Sequence, residues 1–83
     1  MDKIVAVVRD KDRILYSGEV FAVTSYNDKG EFDVLPQHEN FISIIKDKLI
    51  IHKTRKEKEE IKIENGVIRV TKDRVYAYVN FTG

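Results

Sequence analysis

Glu60-Ile61-Lys62-Ile63-Glu64-Asn65-Gly66-Val67-Ile68-Arg69-Val70-Thr71 decides the class of fold. Ile61 and Ile63 alternate with Glu60, Lys62 and Glu64, the period of a strand with one dry face and one wet face. Asn65-Gly66 suits a type I′ turn, because both residues tolerate positive φ. The segment therefore reads as a hairpin, with Val67 to Thr71 returning antiparallel. Downstream, Lys72-Asp73 turns the chain again, and Val75, Ala77 and Val79 then face one way while Arg74, Tyr76, Tyr78 and Asn80 face the other.

Working back from that stretch, Thr54-Arg55-Lys56-Glu57-Lys58-Glu59-Glu60 has two readings. One is a solvated hairpin tip whose charges discourage edge-to-edge pairing. The other is an electrostatic docking site, which the cancellation of adjacent opposite charges beyond a Debye length of ~8 Å disfavours. From Asn40 to Ile51, Phe41, Ile44, Ile45 and Leu49 fall at helical spacing behind a possible Asn40 cap. The isoleucine content instead favours strand, and Lys46-Asp47-Lys48 divides the run into two strand-length pieces.

The first half of the chain continues the pattern. Ile4-Val5-Ala6-Val7-Val8 reads as a strand buried on both faces, Arg9 to Arg13 as a polar turn, and Ile14-Leu15-Tyr16 as a strand interrupted at Ser17-Gly18. Glu19 to Tyr26 is the next strand, Asn27-Asp28-Lys29-Gly30 a turn, and Glu31 to Leu35 a short strand stopped by Pro36. Many short strands joined by tight turns make this an all-β domain, a small antiparallel β-sandwich or flattened barrel of about eight to ten strands. Residues 1–83 form one domain.

Composition narrows the function. A domain of 83 residues buries only roughly 60–65% of its unfolded surface, and with no cysteine its 42% apolar content must supply the core. The net charge of +1, from 15 basic and 14 acidic residues, lacks the basic excess of nucleic-acid binders. Apolar runs are far shorter than the ~20 residues of a membrane helix, and Met1-Asp2-Lys3 leads into a strand rather than a signal peptide.

Chemistry is equally sparse. His38 and His52 share no metal-ligand spacing, and His52 belongs to a strand pattern. The four glycines are too scattered for a phosphate loop, no Gly-x-Ser-x-Gly elbow is present, and no carboxylate pair sits among apolar residues. No catalytic, cofactor or metal site is expected, and no enzyme. The loop after Gly30-Glu31-Phe32-Asp33-Val34-Leu35 either crosses between sheets or, with φ fixed at Pro36, presents His38, Glu39 and Phe41 to a partner. Phe32, Phe41, Tyr76 and Tyr78 suit an interface, although Tyr76 and Tyr78 also suit a cross-strand aromatic pair covering an outer sheet face.

Leu15-Tyr16-Ser17-Gly18-Glu19-Val20-Phe21-Ala22-Val23-Thr24, then Asp28-Lys29-Gly30-Glu31-Phe32, Leu35-Pro36-Gln37-His38, Asn65 to Val70 and Asp73 to Ala77 occur in the order seen in one family. The chain resembles the N-terminal β-sandwich of F-type ATP synthase epsilon subunits, departing at Asp33, Gln37 and Asn40, and carrying Lys46-Asp47-Lys48 where that family has a Lys-Pro-Gly turn.

The resemblance implies a non-catalytic rotor part that links the gamma subunit to the membrane c-ring. It implies Glu31 as a c-ring contact, His38 and Ser43 near gamma, and Phe32, Pro36 and Phe41 in the same partner-binding region. It also implies a peripheral place on the cytoplasmic face of a bacterial inner membrane, and possible self-association in isolation. The inhibitory role of the helices that follow the sandwich in most relatives is not carried over. The rival reading is a free-standing small β-barrel that binds nucleic acid or another ligand, which would need a basic, aromatic-lined strand face.

Overall fold

A computed structural model describes residues 3–36 and 40–81. Its strands are β1 (Ile4–Arg9), β2 (Ile14–Val20), β3 (Ala22–Asn27), β4 (Gly30–Val34), β5 (Phe41–His52), β6 (Lys58–Val70) and β7 (Arg74–Phe81). They form one sheet in the order β2-β1-β7-β6-β5-β3-β4. Every pairing is antiparallel except β1 with β7. Side chains from all these strands meet in one core, including Ile4, Val20, Val23, Val34, Leu49 and Val75. A single sheet can enclose one core only by folding over on itself, so the domain has two layers.

The fold-over runs through β5 and β6, the two longest strands. In β6, Ile61 and Ile63 point inward, Glu64 and Asn65 both lie exposed, and Gly66, Ile68 and Val70 point inward again. Across the same point, Lys46 pairs with Asn65 and Lys48 with Lys62, so one residue of β5 faces two of β6. This is a β-bulge, which bends the strand and increases its twist. Asp47 answers it on β5 with φ 72°, a left-handed conformation that aspartate tolerates better than most residues. The carbonyl of Lys48 at this bend accepts a hydrogen bond from the buried Ser25 hydroxyl at 2.9 Å.

Two expectations are corrected here. Asn65-Gly66 is not a hairpin, because β6 runs through it between two neighbours, β5 and β7, whose ladders outweigh the local turn preference. The glycine is required for another reason: a Cβ on Gly66 would lie 2.7 Å from the Tyr78 carbonyl oxygen and 3.0 Å from Val79 Cγ1. Phe41–His52 is likewise one strand of 12 residues, neither a helix nor two separate strands. These mergers leave seven strands among the described residues, fewer and longer than expected from the spacing of turn residues.

Smaller differences follow the same logic. β2 continues through Ser17 and Gly18, which pair with Val7 and Ala6, and the chain breaks instead at Phe21. There it leaves β1 and joins β3 to β5, with Phe21 N bonded to His52 O at 2.8 Å. In β1 only Ile4, Ala6 and Val8 are buried, while Val5 and Val7 are half-buried on the outer side. The segment 53–57 is the tip joining β5 to β6. It is closed by Lys53 N to Glu57 O, and the Thr54 hydroxyl accepts from the amides of Lys56 and Glu57. The charges of Lys53 and Arg55 are already engaged there, Lys53 with Glu59 at 3.1 Å and Arg55 over the Phe21 ring.

Candidate functional site

The residues expected to meet a partner gather around the start of β5 and the β3–β4 hairpin. Phe32 and Phe41 are half-buried and pack edge-to-face, with ring centroids 6.0 Å apart and planes at 73°. Ser43 Oγ accepts from Asn27 Nδ2 at 3.3 Å and donates to the Ile44 carbonyl at 3.1 Å. Asn27, Lys29, Phe32, Phe41 and Ser43 line an open groove between the hairpin and β5. Glu31 is exposed on β4 and accepts a hydrogen bond from the Tyr26 hydroxyl at 3.1 Å. Pro36 is half-buried just beyond β4. Gln37, His38 and Glu39 lie outside the described residues, and with them the expected His38 contact.

Strand alternation turns the neighbours of these residues outward. Phe41, Ser43 and Ile45 face in, so Ile42 and Ile44 face solvent, 69% and 73% exposed. Directly opposite residues share a face. Ile42 is opposite Arg69 and Arg69 opposite Tyr76; Ile44 is opposite Val67 and Val67 opposite Tyr78. On the far side of β7, Val7 lies beside Tyr76 and Arg9 beside Tyr78. The outer face of this layer is thus mostly apolar, with Arg69 and Arg9 set into its rows and Tyr78 still 53% exposed. Tyr76 and Tyr78 are neighbours along one strand rather than a cross-strand pair.

Sequence reasoning missed Ile42, Ile44, Val67 and Arg69 as surface residues. A signal was present: in Phe41-Ile42-Ser43-Ile44-Ile45 the apolar residues occupy both faces of a strand that has only one core to fill.

The outer face of the other layer is organised differently. Thr24, only 4% exposed, donates its hydroxyl proton to Asp33 Oδ1 at 2.6 Å, and His52 Nε2 lies 2.8 Å from the same oxygen. A threonine hydroxyl has one proton, so Nε2 is the N–H donor to it and the His52 tautomer is fixed. Lys48 reaches Glu60 at 3.6 Å and lies over the Tyr26 ring. The Glu31 carboxylate, by accepting from Tyr26, holds that phenol's pKa above its ordinary value, with burial adding in the same direction. Among the described residues no group of three or more His, Cys, Asp or Glu could hold a metal ion.

Comparison with known proteins agrees with this architecture. Residues 4–80 match the family described as ATP synthase, Delta/Epsilon chain, beta-sandwich domain. An ATP synthase epsilon chain of Helicobacter pylori (strain Shi470) is 40% identical over 73 residues, covering 88% of this chain and 58% of the relative. One from Sulfurimonas denitrificans is 31% identical over 80 residues, covering 95% of this chain and 62% of the relative. The chain therefore spans about three fifths of the length of these relatives.

Among solved structures, a chain of the Euglena gracilis mitochondrial ATP synthase superposes with a TM-score of 0.87 at 21% identity, over 95% of this chain and 51% of that one. A chain of the Tetrahymena thermophila mitochondrial ATP synthase central stalk and c-ring gives 0.76 at 9% identity, over 95% and 64%. At such identities these two show the shared fold. With the match running through all seven strands, the chain belongs to the ATP synthase delta/epsilon chain β-sandwich family.

Proposed function

We propose that this chain is a non-catalytic central-stalk part of an F-type ATP synthase, a stiff body that ties the gamma subunit to the c-ring and turns with them. The observation that carries the reading is the uncovered apolar face of Ile42, Ile44, Val67, Tyr76 and Tyr78. A patch of this kind on a small domain marks a protein interface. It adjoins Phe41 and Ser43 on the same strand, so gamma takes the start of β5 and its outer face; His38 joins that contact on the family resemblance alone. Glu31, on the other layer, offers an exposed carboxylate to the polar loops of the c-ring.

No bond is made or broken in this role, and stiffness is what it requires. The sheet supplies that through ladders shared by every strand, with the fold-over held by packed β5 and β6. In a bacterium the complex would sit at the inner membrane, with this chain peripheral on its cytoplasmic face.

The test is capture by purified gamma and by purified c-ring from the same organism. Glu31→Ala should lose c-ring capture and keep gamma. His38→Ala combined with Ser43→Ala should weaken gamma and keep the c-ring. Full capture of both partners by a variant carrying all three changes would remove these residues from the contacts.

A further inference from the structure

The rows of the apolar face around its two tyrosines carry positive charge. Arg69 stands in the middle of a row, with Ile42 against it from β5 and Tyr76 from β7, and Arg74 and Arg9 flank the two tyrosines. Among the described residues Arg69 makes no ion pair, whereas Lys46, Lys48 and Lys53 each have a carboxylate within 4.0 Å. Among the described acidic residues on this side, Glu19 lies at the far edge on β2 opposite Val5, and the exposed Glu64 sits at the β6 bulge, away from the row that holds Arg69. Any partner that covers Ile42, Ile44 and Tyr76 must also take Arg69 out of water. A guanidinium buried without a carboxylate costs more than the surrounding apolar contact returns.

We propose that the surface docking on this face is apolar and carries carboxylates, one of them placed to meet Arg69 in a two-pronged ion pair, and that Arg69 decides which surfaces are accepted. This rests on the stalk reading and deepens it by stating the chemistry of the partner's contact patch. Arginine and tyrosine dominate binding energy when they sit centrally and lose water, which is where Arg69, Tyr76 and Tyr78 lie. Arginine matches a carboxylate with two parallel hydrogen bonds, a geometry lysine lacks. A second copy of the chain fits poorly, because a two-fold contact through this patch sets the same arginines against one another.

The experiment is a calorimetric titration of the intact chain with the purified gamma subunit, using wild type, Arg69→Gln, Arg69→Lys and Arg69→Glu. Arg69 is exposed, so all four should melt alike. Arg69→Gln is expected to weaken binding about tenfold or more, with Arg69→Glu weaker still and Arg69→Lys in between. Rising salt should weaken wild type more than Arg69→Gln. Equal binding by wild type and Arg69→Glu overturns the inference and leaves the stalk reading standing. A wild-type chain that gamma does not bind overturns both. Two further results would also overturn the proposal: a stable dimer of the chain by ultracentrifugation that Ile44→Glu disperses, or retention on phosphatidylglycerol vesicles that gamma does not displace.

Discussion

The sandwich shows solvent two outer faces built from the same two long strands, and they solve opposite problems. On the β4–β3–β5 side, polar groups answer one another: Glu31 with Tyr26, Thr24 with both Asp33 and His52, Lys48 with Glu60. On the β5–β6–β7 side, isoleucine, valine and tyrosine lie open around an arginine that makes no ion pair among the described residues. A surface already satisfied gains little from a partner; an apolar one gains whatever area is covered, at roughly 25 cal/mol per Å² before the cost of association. The two faces differ in what remains to be satisfied, and on the proposed stalk role that difference assigns docking to the apolar one.

The bulge in β6 keeps the faces apart, and breaking it should have the largest effect. Gly66→Ala drives a methyl to 2.7 Å from the Tyr78 carbonyl oxygen, against backbone that cannot swing aside. The expected loss is about 3 kcal/mol, which lowers the melting temperature of a domain this size by roughly 10–25 °C. Calorimetric melting decides it. A change of a degree or two would mean that β7 yields and that the bulge is loosely packed.

Gly66 also shows where the sequence stopped being legible. Alternation in Ile61-Lys62-Ile63 and in Val75 to Val79 identified true strands, because each records its own burial pattern residue by residue. Asn65-Gly66 records two things at once, tolerance of a turn and absence of a Cβ, and local reasoning cannot tell which is in use. The deciding fact is β7 lying against Gly66 from a later part of the chain. The same holds for Lys46-Asp47-Lys48, which could be a turn or a bend within a strand. At the candidate site, Glu31 and Ser43 are legible only through resemblance, whereas Phe32 and Phe41 are legible also as aromatics suited to an interface. The apolar face stayed hidden because its rows combine residues from β5, β6 and β7 that share no local motif.

The next largest effect tests the apolar face directly. Ile42→Thr with Ile44→Thr keeps β-branching on a strand while removing apolar area from the patch. Losing about 2–3 kcal/mol of burial should weaken gamma binding by roughly 30–150-fold, with little change in melting. The matching change on the other face, Lys58→Thr, should leave gamma affinity within about twofold. Equal losses from both faces would erase the distinction between them.

Thr24→Val is the test on the polar face. It preserves shape and removes the hydroxyl that accepts from His52 and donates to Asp33. The imidazole N–H then faces a methyl group, and the expected cost is about 1 kcal/mol, seen as an earlier urea midpoint with an unchanged slope. Gamma affinity should not move, since this network lies away from the patch. A loss of affinity without a loss of stability would show the polar face taking part in docking.

The smallest effect concerns a single proton. Tyr26 donates to Glu31, so ionising the phenol loses that hydrogen bond and sets two negative charges side by side, which keeps the folded pKa above the ordinary tyrosine value of 10.0. A pKa raised by folding contributes stability that is fully present below the unfolded value and is lost as pH rises through the folded one. Tyr26 should therefore titrate above the ordinary tyrosine value by ultraviolet difference absorbance, and Glu31→Gln should return it toward the ordinary range. Binding of the c-ring gives a sharper version. If a basic loop takes the Glu31 carboxylate, Tyr26 loses its acceptor and titrates earlier in the complex than alone. A Tyr26 titration indifferent to both Glu31→Gln and the c-ring would mean that the hydrogen bond has no weight in solution. The polar face would then hold itself together through Thr24 and Lys48 alone.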